Sequence, residues 1–278
     1  MRFGTLYIVA TPLGNLEDVT FRSLRVLREV PLIACEDTRR TVKLLNRYEI
    51  RTQMIPFHDH NKLAAGTGLL RRLRDGQSVA LVSDAGTPGI SDPGYELVRD
   101  AVAEGIPVEV VPGPSALISA LVVSGLPTDR FVFEGFLPNR SERRRKALKA
   151  LSAETRTLIF YESPQRIAAF LADASEILGD RRGCIVRELT KVHEEILRGT
   201  LPELFGEISK RESIPGEITV VLEGAPKAVV FSVEAAVSEA LEVTPESVSS
   251  RDLARDISGR TGLSKKEVYA EILRRREQ

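Results

Sequence analysis

The chain has 278 residues, of which 42% are hydrophobic and 28% charged, the composition of a soluble globular protein long enough for two compact domains. Its 39 basic and 39 acidic residues balance, so a nucleic-acid surface would require local segregation of charge. No apolar run reaches the length of a membrane span, and the N-terminus lacks a signal-peptide pattern, so we expect a cytoplasmic protein without membrane association. Cys35 and Cys184 lie in separate apolar runs, which favours buried thiols over a disulfide or a metal site.

The first 125 residues alternate apolar strands and helical patterns five times, which predicts a doubly wound parallel sheet. The predicted strands are Leu6–Ala10, Leu32–Cys35, Gln53–Phe57, the apolar run that begins at Val79, and Pro107–Val111. Thr20 and Asn61 are predicted to cap the helices that follow them. Ligands of such sheets bind at the carboxyl ends of the strands, so the loops there are the candidate site.

The longest of these loops follows the run at Val79 and reads Ser-Asp-Ala-Gly-Thr-Pro-Gly-Ile-Ser-Asp-Pro-Gly over residues 83–94. It holds three glycines and two prolines, whereas a strand-to-helix loop usually has about two to six residues. Glycine lets the backbone approach a ligand, and Asp84 and Asp92 supply carboxylates at the rim. A tight connection with a capping Asp is the alternative, but the length favours a ligand loop.

Three other strand ends carry polar residues. Asp37 or Thr38 is predicted to cap the next helix, a role compatible with substrate contact. His58 and His60 have a spacing that can chelate a metal, yet no ligand set completes the site, so no metal is expected. Ser115 and Ala116 open a helix whose free N–H groups could hold a carboxylate or a ribose, although a plain Ser cap is equally compatible with the pattern.

Beyond residue 125 the strands lack long crossovers, which predicts a mixed sheet over residues 126–224. The segment 139–149 carries six basic residues against Glu142, which fits either a solvated helix face or an RNA contact. After a predicted linker, Ala225–Lys227, residues 225–278 read as three short amphipathic helices, Val233–Leu241, Ser250–Ser258 and Ser264–Arg275. The last two resemble a helix-turn-helix, although a packing or dimerisation appendage is nearly as compatible with the pattern.

Several motifs recur in order and together resemble the S-adenosylmethionine-dependent tetrapyrrole methylase superfamily, in particular its subgroup of bacterial 16S rRNA ribose methyltransferases. They are Pro12–Asn15, Cys35–Arg39, His58–Asn61, Ser83–Gly94, Val111–Ala116, Phe160–Pro164 and Arg187–Lys191. Porphyrin-directed members have a Gly-x-Gly-x-Gly type loop after the first strand. Here the loop is Ala10–Asn15, which argues against a tetrapyrrole substrate.

The resemblance implies two α/β domains, residues 1–125 and 126–224, a helical extension over 225–278, and a homodimer. It implies 2′-O-methylation of a cytidine in 16S ribosomal RNA of the small subunit, with S-adenosylmethionine as cofactor. The residues that match the cofactor pattern are Pro12, Leu13, Gly14, Asp84, Ala85, Gly86, Ile90, Ser115, Ala116, Tyr161 and Leu189.

The acceptor hydroxyl must be held in line with the methyl–sulfur bond, and a base would assist the transfer. The candidates for catalysis are Asp37, Glu162, Glu188 and Lys191, with Glu36 a further strand-end carboxylate; none is singled out as a unique base. The candidates for RNA contact are Arg39, Arg40, Arg143, Arg144, Arg145, Lys146, Lys265 and Lys266. The alternatives are a methyltransferase for a porphyrinoid or other small acceptor, and a non-catalytic RNA-binding ribosome-assembly protein.

Overall fold

The computed structural model describes residues 3–226, 232–245 and 248–276. The chain divides into two compact units, Met1–Ala225 and Pro226–Gln278. Both predicted sheets lie in the first unit, and the division of that unit at residue 125 stays a prediction. Lys227 of the predicted linker lies outside the described residues. No helix in the described ranges is long and apolar enough to cross a membrane.

The first sheet is parallel and has the order β3-β2-β4-β1-β5, as the alternating pattern predicts. Its strands are β1 (Leu6–Val9), β2 (Leu32–Cys35), β3 (Gln53–Pro56), β4 (Val79–Val82) and β5 (Val108–Val111). The helices are α1 (Phe21–Glu29), α2 (Thr38–Arg47), α3 (Lys62–Arg74), α4 (Tyr95–Ala103) and α5 (Ala116–Ser124).

Helices cover both faces of this sheet. Alternate residues of the strands point to opposite faces, so Leu32 and Ala34 of β2 pack with α3 and α4, whereas Ile33 and Cys35 pack with α1 and α2. Strands β2 and β4 are buried at every position because both of their faces are covered. Burial accounts for the continuous apolar runs in these strands.

The second sheet is mixed, which confirms the prediction, and has the order β6-β7-β10-β8-β9. Only the β6–β7 pair is parallel. The strands are β6 (Phe131–Phe136), β7 (Thr157–Glu162), β8 (Arg182–Arg187), β9 (Glu195–Thr200) and β10 (Ile218–Leu222). Helices α6 (Ser141–Ala150), α7 (Ile167–Leu178) and α8 (Leu201–Ser209) share one core with one face of this sheet.

The other face of the second sheet packs against α5. Leu117, Ala120 and Leu121 of this helix lie in one core with Ile159 and Val186 of the second sheet. The helix that ends the parallel part of the chain therefore joins the two sheets into one unit, and its first residues lie between them.

The predicted caps have mixed outcomes. The Thr20 hydroxyl accepts from Ser23 N–H and the Asp37 carboxylate from Arg39 N–H, so both caps are confirmed. Asn61 occupies the N-cap position of α3, but its side chain accepts from His58 N–H (2.8 Å) instead and donates to Pro56 O. That prediction was wrong in its mechanism, because the amide closes the preceding turn. Ser115 likewise makes no capping bond.

The second unit consists, in its described part, of α9 (Val233–Val243), α10 (Ser250–Thr261) and α11 (Lys265–Arg276) around one apolar core. Gly262 ends α10 in the left-handed region (φ 72°), so a tight turn leads into α11. This agrees with the predicted pair of helices joined by a glycine turn.

Candidate active site

One cavity of about 340 Å³ lies between the loops of the two sheets. Loops at the carboxyl ends of the parallel strands form one wall. The ends of β7 and β8 and the beginning of β10 form the other. Its volume falls within the roughly 300–1,000 Å³ usual for small-molecule sites.

Nine of the eleven residues predicted to contact the cofactor line this cavity. They are Leu13, Asp84, Ala85, Gly86, Ile90, Ser115, Ala116, Tyr161 and Leu189. Pro12 does not line it, and Gly14 borders a separate, neighbouring cavity. The sequence motifs therefore converge on one place, since the parallel strands all end at the same edge of the sheet.

Backbone hydrogen bonds hold the loops of the first sheet together. Thr11 and Gly86 exchange both N–H···O bonds (2.8 and 3.0 Å), which joins the loop after β1 to the loop after β4. The Thr87 hydroxyl donates to Pro114 O (3.2 Å), which ties the same loop to the start of α5. Gly86 has φ +83°, and a Cβ there would lie 3.3 Å from Leu13 Cδ2. This position therefore suits glycine for both conformation and space.

The start of α5 contributes backbone donors to the cavity. Ser115 and Ala116 line it, and the Ser115 side chain makes no capping hydrogen bond to the first turn of the helix. A helix N-terminus in this state favours a carboxylate or another anionic group.

The cavity is strongly acidic. Glu36, Asp84, Asp92 and Glu217 line it. Burial, together with the charge of Asp84, raises the pKa of Glu36, and burial raises that of Asp84. Burial and the neighbouring Glu36 raise the pKa of Asp92 to about 7. Crowded carboxylates of this kind are stabilised by a cationic ligand.

Aromatic residues form part of the second wall. Phe136 and Tyr161 line the cavity with ring centroids 5.7 Å apart, and burial raises the pKa of Tyr161 to about 12, so its hydroxyl stays neutral. Phe136 and the segment 216–219 were missed in the sequence. Strand β10 runs antiparallel to β7 and β8, so its amino end meets the cavity. A search for ligand residues at the carboxyl ends of strands therefore does not identify this segment.

Two of the four predicted catalytic residues, Asp37 and Glu162, bond to neighbouring residues of the chain. The Asp37 carboxylate caps α2 and accepts from the Arg39 guanidinium (2.7–3.2 Å), and these bonds lower its pKa to about 2. Glu162 borders the cavity, but it is only 2% exposed, and its carboxylate accepts from Ser163 N–H and pairs with Arg166 at 3.2 Å. Its side chain is enclosed away from solvent. Burial raises the pKa of Glu162, and a catalytic role for either carboxylate stays a prediction.

Glu188 and Lys191 lie beside the main cavity and line the neighbouring one. Lys191 Nζ lies 2.7 Å from Glu188 and 3.3 Å from Glu217. Burial raises the pKa of Glu188, but hydrogen bonds from Lys191 and Glu217 N–H, together with the nearby positive charges, outweigh burial. The net effect is a lowered pKa. A Cβ on Gly14 would meet the Lys191 stem at 2.1 Å, so the glycine lets this lysine cross the loop after β1.

The basic residues predicted to contact RNA separate into three groups. Arg143, Lys146, Lys265 and Lys266 are exposed. Arg144 is 4% exposed and pairs with Asp173 at 2.7 Å, and Arg145 pairs with Asp173 and Glu176. Arg144 is therefore a structural residue between α6 and α7, which corrects the expectation. The Arg39 guanidinium is held by Asp37, and Arg40 lines the cavity.

The rings of His58 and His60, in the loop after β3, pack edge to face with centroids 5.9 Å apart. No group of three His, Cys, Asp or Glu side chains within residues 3–226, 232–245 and 248–276 could hold a metal ion.

Comparison with known proteins places the fold and the loops in one family. The family model described as tetrapyrrole (corrin/porphyrin) methylases matches residues 5–204. The chain is 46% identical over 271 residues to ribosomal RNA small subunit methyltransferase I of Halalkalibacterium halodurans, covering 96% of this chain and 93% of the relative. It is 52% identical over 221 residues to the Thermotoga maritima protein of that name, covering 80% and 99%.

Solved structures show the same fold at low identity. Uroporphyrin III C-methyl transferase from Thermus thermophilus matches with a TM-score of 0.57 and 22% identity, covering 78% of this chain and 97% of that one. Diphthine synthase matches with a TM-score of 0.60 and 14% identity, covering 79% and 89%. The family model and the relatives at 46% and 52% identity show that the chain belongs to the tetrapyrrole methylase family and is a methyltransferase.

Proposed function

We propose that the protein transfers a methyl group from S-adenosylmethionine to ribosomal RNA of the small subunit, at the 2′-hydroxyl of a cytidine in 16S rRNA. The observation that carries the proposal is the convergence of nine predicted cofactor residues on one acidic cavity. The name of relatives that are 46% and 52% identical supports the RNA acceptor. The choice of the cytidine 2′-hydroxyl rests on the motif resemblance. A ribosomal substrate would place the protein in the cytoplasm.

The cavity fits the charges and surfaces of the cofactor. Carboxylates of Glu36, Asp84 and Asp92 suit a ligand with a sulfonium and an ammonium group. The backbone N–H groups at the start of α5, where Ser115 and Ala116 line the cavity, suit its carboxylate or ribose oxygens. The aromatic side chains of the second wall suit a planar base. Bound there, S-adenosylmethionine supplies an activated methyl group.

The chain's own contribution to this chemistry is mainly positioning. Rigid loops tied by the Thr11–Gly86 bonds can hold a ligand in one orientation, and in-line transfer depends on that alignment. Glu36 and Asp92 line the cavity and have raised pKa values, so they suit the acceptance of a proton better than Asp37 does.

RNA phosphates would contact exposed cations outside the cavity. Arg143 and Lys146 on α6 are exposed, as are Lys265 and Lys266 on α11. Replacing Arg143 and Lys146 by Gln should reduce the slope of log affinity against log salt by about 1.4 in total if each contacts one phosphate of a single strand. Binding of unmodified small subunits at several salt concentrations measures the slope. An unchanged slope would assign α6 to a solvated surface.

A homodimer is proposed through an apolar surface on the first unit. Val110 of the edge strand β5, and Ile118 and Val122 one turn apart on α5, are all exposed. Ile118 and Val122 lie on one face of α5, and neighbouring exposed apolar side chains are typical of protein interfaces. Ile118→Glu should convert a dimer to a monomer in analytical ultracentrifugation, whereas Val102→Glu on α4, also an exposed position, should not.

The test of the reaction is transfer of labelled methyl from S-adenosylmethionine to purified small subunits that lack the modification, with nuclease mapping of the product. Label in a single 2′-O-methyl cytidine is expected. Asp84→Ala should abolish it, because Asp84 lines the cavity and its carboxylate also accepts from Asp37 N–H at 3.0 Å.

Two other outcomes would favour the alternatives. Intact cofactor binding without transfer to subunits or free RNA would favour a porphyrinoid or other small acceptor. Absence of cofactor binding in calorimetry would favour a non-catalytic RNA-binding protein.

A further inference from the structure

Arg40 occupies a distinctive position at the cavity. It lies in the first turn of α2, and its guanidinium is 3.4 Å from Asp84 Oδ2 and 3.6 Å from Glu217 Oε1. Asp84 follows β4 of the first sheet and Glu217 precedes β10 of the second. Arg40 therefore bridges the two walls. Among the residues found to line the cavity, it is the one with a positive charge, against the carboxylates described above.

The bonding of Arg40 is weak for an arginine. Its guanidinium makes no hydrogen bond to the described part of the chain, and 57% of its side chain is exposed. Its neighbour Arg39, by contrast, donates three hydrogen bonds to Asp37. The Glu217 partner is exposed and the Asp84 partner is partly buried, and both pairs are long, at 3.6 and 3.4 Å. Loose pairs of this kind contribute little to stability, so exchange for another anion costs little. Five N–H donors remain available to that anion.

We propose that Arg40 holds the phosphate next to the acceptor ribose, exchanging Asp84 and Glu217 for that phosphate when RNA docks. This inference rests on the proposed function. The 2′-hydroxyl and the 3′-phosphate are borne on adjacent carbons of one ribose, so a hydroxyl that enters the cavity brings a phosphate to its mouth. The interior carboxylates repel that phosphate, and the guanidinium offers it a bidentate contact. Arg40 thereby acts as a substrate-positioning residue.

The test compares Arg40→Gln and Arg40→Lys with Arg72→Gln in methylation of unmodified small subunits. Arg72 is an exposed residue near the C-terminal end of α3, shortly before the amino end of β4. Its replacement changes the net charge equally. Arg40→Gln should lower kcat/KM by about 10- to 100-fold and reduce the salt slope by about 0.7. Arg40→Lys should recover part of the lost activity, since lysine keeps the positive charge but cannot make the bidentate contact of a guanidinium. The affinity for S-adenosylmethionine in calorimetry should stay within about twofold of wild type.

Three results would overturn the inference. Equal activity of Arg40→Gln and Arg72→Gln with an active wild type would overturn it alone. A loss of cofactor affinity as large as the loss of turnover would show that Arg40 holds the cofactor's carboxylate instead. An inactive wild type with normal cofactor binding would overturn the proposed function and this inference with it.

Discussion

Asp92 gives a quantitative test of how acidic the cavity is. Its pKa is raised from 3.8 to about 7 by burial and by the charge of Glu36, with Asp84 and Glu217 adding to the effect and a hydrogen bond from Ser83 opposing it. A difference of about 3 in pKa corresponds to at most about 4 kcal/mol in the free energy of unfolding. Because the side chain is only partly buried, solvent screening lowers this contribution to about 1–2 kcal/mol.

The direction follows from which state holds the proton. Between pH 3.8 and about 7, the unfolded chain has released the Asp92 proton while the folded chain keeps it, so this group's contribution to the free energy of unfolding falls as pH rises. Above pH 7 the carboxylate is ionised in both states and the cost is constant. Asp92→Asn should therefore stabilise the protein by about 1–2 kcal/mol at pH 8 and have little effect near pH 4.

Urea denaturation followed by far-UV circular dichroism measures this difference, since the chain has no tryptophan for a fluorescence assay. Asp18→Asn, at an exposed position in the 3₁₀ helix Leu16–Asp18 after β1, is the control for the removal of one carboxylate. A stabilisation by Asp92→Asn that is equal at pH 4 and pH 8, or larger at pH 4, would refute a raised pKa for Asp92.

Two further predictions concern the frame of the site. Asp173→Asn should destabilise the protein by about 3–5 kcal/mol in the same assay, because it leaves the buried Arg144 guanidinium without its counter-charge; a change below 1 kcal/mol would contradict the assignment of Arg144 to the fold. Gly86→Ala should weaken cofactor binding at least tenfold in calorimetry, because the added Cβ approaches Leu13 in the cavity wall. Gly105→Ala is the matched control, since its φ of +71° carries the same backbone strain of about 1–2 kcal/mol with open space around the Cβ, and its cofactor affinity should be unchanged.

The sequence alone was sufficient for the architecture of the first sheet. Repeated apolar strands and amphipathic helices leave few other ways to bury their faces, so the alternation predicts a parallel sheet. It was also sufficient for most of the cofactor cavity, since strands that run in one direction end at one edge and bring their loops together. Leu13, Asp84 and Ser115 are far apart in the chain, yet they meet for this reason.

Only the tertiary structure decided the roles of individual charged residues. The basic run on α6 reads as one surface, but Asp173 on α7 draws Arg144 into the interior. Glu162 ends a strand as a catalytic carboxylate would, yet Arg166 and Ser163 enclose it. The partner of Arg144 is distant in sequence, so a local pattern does not contain it, whereas Glu162 is held by residues one and four positions away. The direction of β10 was likewise decided only by the tertiary structure, because packing between whole elements sets how strands pair. This direction brings Glu217 to Arg40 at the mouth of the cavity.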